Sequence, residues 1–141
     1  MPQHPVTPLP SPRTLKRPMP MELLTPDAAI PVDTTVGYAS RDPHALSIAF
    51  HLPGEHPIVW WLDREMVLTG SHTPTGGGEV HLRSTPGGDF LIRLGNPGDC
   101  ATVRCDQDAL TRFVHETFAL VPQGSEEQHI DWRPLLASLR R

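Results

Sequence analysis

The sequence predicts an α+β fold: antiparallel β-sheets with one long and one terminal α-helix. Three observations carry this. Between residues 32 and 106, short β-branched or alternating apolar stretches recur, separated by turns rich in Pro, Gly and Asp. After Asp106 the apolar period lengthens from two to that of a helix. A short helical stretch after Asp63 interrupts the strands, so the order is strands, short helix, strands, long helix, terminal helix.

Met19–Thr25 is a short edge-strand candidate, where Pro20 is tolerable because an edge need not donate. Val32–Ala39 is β-branched and reads as a strand. In Ala45–Leu52, Leu46, Ile48 and Phe50 alternate with Ser47, Ala49 and His51, which predicts one buried face. Pro57–Leu62 follows the turn Pro53-Gly54-Glu55-His56. Asp63 is placed to cap a helix over Arg64–Leu68, closed by Gly70. His72 to Gly78 reads as a loop. Glu79–Ser84, Phe90–Gly95 and Cys100–Asp106 are three more strands. Asp106 or Asp108 caps a helix to about Leu120, with Leu110, Phe113, Val114, Thr117 and Phe118 as its core stripe. A last helix from Asp131 is expected to bury Leu135, Leu136 and Leu139, with Pro134 tolerated in its first turn.

Seven of the seventeen prolines fall in the first twenty residues. Each fixes φ and removes a donor, so residues 1–18 are expected to form a disordered or polyproline-like tail ahead of one domain over 19–141. The chain's length suits one domain with one core. No apolar run approaches membrane-spanning length, and no secretory pattern follows Arg13, Lys16 and Arg17. Two cysteines make no disulfide framework, so a reduced, cytoplasmic protein is expected. Residues 21–141 hold nine basic and sixteen acidic side chains, a net of −7. Such a body repels bulk nucleic acid.

Catalytic and cofactor signals are weak. Gly76-Gly77-Gly78 is followed by Glu79, where a phosphate loop needs Lys and Ser or Thr. No Gly-x-Ser-x-Gly elbow occurs. Cys100 and Cys105 are an odd number of residues apart on one strand, so their thiols face opposite ways. His51 and His56 alone make no closed metal site. No enzyme, metal or cofactor is therefore expected. One alternative remains: His81, Arg83, Arg93 and Arg104 share a polar sheet face that a single nucleic-acid strand could follow, although no stacking aromatic is interleaved.

A series of short motifs resembles the SsgA-like family of actinobacterial sporulation proteins. Val36-Gly37-Tyr38, Asp42-Pro43-His44-Ala45 and Phe50-His51 resemble its opening strand pair, with His44 in place of the usual tyrosine. Val59-Trp60, Asp63-Arg64 and Leu68-x-Gly70 follow. Pro74-Thr75-Gly76 with Gly78-Glu79-Val80 resembles a Pro-x-Gly-x-Gly-Asp-Val element, with Glu79 for Asp. Phe113, Val121-Pro122-x-Gly124, Glu126 and the stretch Asp131 to Leu136 complete it. The resemblance implies a Whirly-type fold of two antiparallel sheets plus helices, assembled as a homotrimer. It implies a non-enzymatic adaptor in sporulation-specific division and septum positioning, located at the septum and partnered by the tubulin-like FtsZ or by other SsgA-like proteins. The alternative, a single-strand nucleic-acid binder on a Whirly-like sheet face, follows from the fold alone.

No contact residue carries over from the family by motif. The segment Trp61–Thr75 is the candidate partner surface, because it combines surplus apolar residues with an adaptable loop. Its candidate contacts are Trp61, Arg64, Met66, Leu68, His72 and Thr75. The competing reading places Trp61 and Met66 in the core.

Overall fold

The computed structural model describes residues 8–140. Among these residues five strands are followed by a short helix, four more strands and two further α-helices. The strands are β1 (Thr14–Pro18), β2 (Met21–Leu24), β3 (Ala29–Ala39), β4 (Ala45–His51), β5 (Ile58–Asp63), β6 (Thr75–Gly77), β7 (Val80–Ser84), β8 (Asp89–Asn96) and β9 (Asp99–Asp106). The helices are α1 (Arg64–Gly70), α2 (Gln107–Leu120) and α3 (Arg133–Leu139), with a 3-10 turn at Glu126–His129.

The strands form one curled sheet, ordered β5-β4-β3-β2-β9-β8-β7-β6, with β1 added against β3. All pairings are antiparallel. The curl runs through β3. Its first residues, from Ala29 to Val32, pair with β2, and its remainder pairs with β1 and β4. The chain from β1 to β2 follows β3 with one break. Met19 N–H still donates to Thr34 at 2.9 Å, but Pro20 has no donor. At that point the strand leaves one half of the sheet for the other.

The core lies inside the curl. Val36, Tyr38, Leu46, Ile48, Phe50 and Leu62 come from one half, and Val80, Leu82, Phe90, Ile92, Leu94, Val103 and Cys105 from the other. Each set is a single parity of its strand, as two-residue alternation requires. Leu110, Phe113 and Val114 of α2 close the core. The starts of α1 and α2 are capped as expected. Asp63 accepts from Glu65 N–H at 2.8 Å and Asp106 from Ala109 N–H at 3.1 Å.

Three expectations need correction. The tail does not extend to residue 18: Thr14–Pro18 pair with Ala39–Thr35 of β3, and Arg13 and Ser40 exchange hydrogen bonds at 2.8 Å. Proline and basic residues are compatible with an edge strand, which is the place β1 takes. Residues 1–7 of that expected tail lie outside the described residues. The expected loop at 72–78 contains the short strand β6. The terminal helix does not bury its leucines. Leu135, Leu136 and Leu139 are exposed, and so is Trp132.

At the centre of the fold a charge is buried. Arg64, the first residue of α1, is fully enclosed. Its guanidinium donates to Thr117 Oγ1 at 3.2 Å, to the Val121 carbonyl at 2.9 Å and to Glu126 Oε2 at 3.1 Å. It lies 4.2 Å from the Phe118 ring centroid and 5.3 Å from that of Tyr38. Burial pushes the Tyr38 phenol up to about 12, so it stays a neutral donor to the Pro43 carbonyl at 2.9 Å. Burial also pushes the Glu126 carboxyl up, but backbone donors at Glu126 and Gly124, together with Arg64, outweigh it and hold the carboxyl below its ordinary range.

Losing one partner of a buried pair leaves the other charge unpaired, at a cost of about 3–5 kcal/mol. Arg64→Met is expected to lower the melting temperature by roughly 10 °C or more. Melting by circular dichroism checks this; a Tm within about 2 °C of wild type contradicts it. Because the folded carboxyl of Glu126 is depressed, its stabilisation is present above the ordinary carboxylate range and lost as pH falls through the folded value. Glu126→Gln is expected to flatten that acid limb of the stability profile.

Candidate partner-binding face

Strand β5 is an edge strand whose residues alternate. Leu62 points into the core, Trp60 packs half-buried against it, and Val59 and Trp61 point outward. Trp61 is 57% exposed, an unusual position for so large an apolar ring. Its cross-strand neighbour is Ser47, which sits opposite Gly37, which in turn pairs with Lys16 of β1. Val59 lies opposite Ala49, and Ala49 opposite Thr35. The outer face therefore has a floor of small residues between two walls. Trp61, Val59 and Pro57 form one wall, and Thr14 and Lys16 the other, around a depression of about 530 Å³.

The floor depends on Gly37. A Cβ there would meet Ser47 Oγ at 2.6 Å, too close to be accommodated without movement. At one end Thr35 Oγ1 and His51 Nε2 are hydrogen-bonded at 2.9 Å. The result is an exposed apolar ring over a shallow trough with one cation on its far rim. Such a surface can hold an extended segment or a complementary side chain.

The six candidate contacts do not converge. Trp61 belongs to this face. Arg64 is a correction: it is enclosed in the ion-pair cluster and has no surface to offer. Met66 and Leu68 are half-buried, packed against the core from α1. His72 is exposed in the turn after α1, its N–H bonded to the Thr69 carbonyl at 3.0 Å. Thr75 begins β6 and lines a different depression beside His81 and Arg83. Lys16, Gly37, Ser47 and Val59 were missed. Parity with Trp61 marks Val59 in the sequence, but the other three need the strand pairing.

Cys100 is exposed and Cys105 buried, both unpaired thiols, and burial pushes the Cys105 thiol up to about 12, far from a reactive thiolate. Among the described residues no three His, Cys, Asp or Glu side chains are grouped to hold a metal ion, and no helix is long and apolar enough to cross a membrane.

Residues 32–126 match the family model described as Streptomyces sporulation and cell division protein, SsgA. The sporulation-specific cell division protein SsgB of Salinispora tropica is 33% identical over 126 residues, covering 85% of this chain and 88% of its own. SsgB of Streptomyces coelicolor is 32% identical over 112 residues, covering 77% and 82%. The crystal structure of an SsgA-like sporulation-specific cell division protein from Thermobifida fusca superposes with a TM-score of 0.80 at 30% identity, over 92% of this chain and 98% of that one. The curled antiparallel sheet with its helices is thus the SsgA-like fold, and this chain belongs to the SsgA family of sporulation and cell-division proteins.

Proposed function

We propose that this protein is a non-enzymatic adaptor in sporulation-specific cell division, acting in the cytoplasm at the septum. It positions the division site by binding FtsZ or another SsgA-like protein through the face around Trp61. The observation that carries the reading is the exposed Trp61, beside exposed Val59, over a floor of Gly37, Ser47 and Ala49. A chain that leaves a Trp on an open sheet face has an anchor ready for a partner. The single-strand nucleic-acid alternative is less well supported. Arg104, on its candidate face, is already paired with Glu22 at 2.8 Å, and no Phe, Tyr or Trp lies on that face among the described residues.

Because Trp61 is exposed, Trp61→Ala is expected to melt within a few degrees of wild type, surface changes being worth about 0.5 kcal/mol. Capture of FtsZ or an SsgA-like protein in a pull-down is expected to fall about tenfold or more, as for an aromatic hot spot. Undiminished capture by the folded variant would sink the assignment of this face.

We also propose a homotrimer. Closed assembly would cover the open edges at β5 and β6 and the exposed Trp132, Leu135, Leu136 and Leu139. Light scattering is expected to give the mass of three chains; a stable monomer at micromolar concentration argues against it.

A further inference from the structure

The outer face of the other half of the sheet carries a second depression, of about 500 Å³. Thr75, His81, Arg83, Leu91, Arg93 and Thr102 line it. Strand register explains why they meet. His81 lies opposite Arg93, and Arg93 opposite Thr102; in the next row Arg83 lies opposite Leu91. Leu91 is thus flanked by Arg83 across the ladder and by Arg93 two residues along its own strand. Gly76 lets β6 close the end of this site, since a Cβ there would overlap the His81 ring.

The pairing of the arginines is uneven. Arg17, Arg64, Arg104 and Arg133 each have a carboxylate partner within 3.2 Å. Arg13, Arg41, Arg83, Arg93, Arg112 and Arg140 have none among the described residues, and of these Arg83 and Arg93 meet at this depression. Arg93 Nε is moreover buried without an acceptor. In a body of net charge −7 these two guanidiniums make a local cationic spot with hydroxyls at its rim and an aliphatic floor.

We propose that this depression is a docking site for an acidic peptide segment of a protein partner, one presenting a Glu or Asp carboxylate beside an aliphatic side chain. Guanidinium is the planar donor that fits a carboxylate with two parallel bonds, and Leu91 offers the apolar contact. A nucleic-acid strand fits less well. It needs cations spaced along a backbone and rings to stack on, whereas Arg104 is neutralised by Glu22 and the face holds no Phe, Tyr or Trp among the described residues. The site lies apart from the Trp61 face, and its occupancy does not depend on that face binding anything.

The test uses the full chain and a fluorescein-labelled peptide of alternating Glu and Leu, followed by anisotropy at low salt. A Lys–Leu peptide and a labelled oligo-dT are run beside it. Saturable binding of the Glu–Leu peptide is expected. Arg83→Gln and Arg93→Gln are each expected to weaken it about tenfold. Arg112→Gln, which removes the same charge from an exposed position on α2, is expected to leave it unchanged. Arg83 is exposed, so its variant keeps the fold and carries the test if Arg93→Gln does not. Equal weakening by Arg112→Gln, absence of Glu–Leu binding, or oligo-dT bound more tightly than the peptide would each overturn the proposal.

Discussion

Arg64 carries a positive charge into a space closed to water, and the fold is arranged around meeting that cost. Its guanidinium is shared between a carboxylate, a hydroxyl, a carbonyl and two aromatic faces. The partners come from three stages of the chain. Tyr38 lies on β3, Thr117 and Phe118 on α2, Val121 just after α2, and Glu126 in the 3-10 turn. The Val121 carbonyl would otherwise be one of the unmet acceptors past a helix C-terminus. One side chain therefore fixes how α1 and the end of α2 sit on the sheet. A buried ion pair of this kind need not add net stability relative to an apolar replacement. What it does is penalise any arrangement in which one member is inside without the other.

That constraint reaches the surface through strand parity. Asp63, the last residue of β5, caps α1 and leads directly to Arg64. With Arg64 held inside, the turn from strand to helix is set. Leu62 must point into the core and Trp61 away from it. The exposed tryptophan is thus a consequence of where the chain enters α1. The trough beside it follows from the pairing of Gly37 with Ser47 and Ser47 with Trp61.

Much of the fold was legible in the sequence, because antiparallel strands with one buried face write their parity into consecutive residues. Ala45–His51 and the pairs around Phe90, Ile92 and Val103 show it directly. The helix stripe on α2 was legible for the same reason. What was not legible depends on distant partners. Arg64 reads as a surface charge at a helix start until Glu126, 62 residues later, is known to face it. Leu135, Leu136 and Leu139 have the period of a buried face, but periodicity cannot say whether anything lies opposite. Pro18 argued against a strand, yet β1 pairs with β3 through Thr14–Pro18. Of the candidate contacts, Trp61 alone sits on the apolar face. Its companions Lys16, Gly37 and Ser47 come from strands remote in sequence.

The most direct measurement is septal localisation in the native host, comparing fluorescent fusions of the wild-type chain and Trp61→Ala at matched abundance through sporulation. The expected result is ladders of septal signal for the wild type and diffuse signal for the variant, since the variant keeps its fold and loses its anchor. Ladders formed equally well by the variant, or diffuse wild-type signal throughout sporulation, would contradict the proposed role of the Trp61 face in placing this protein at the septum.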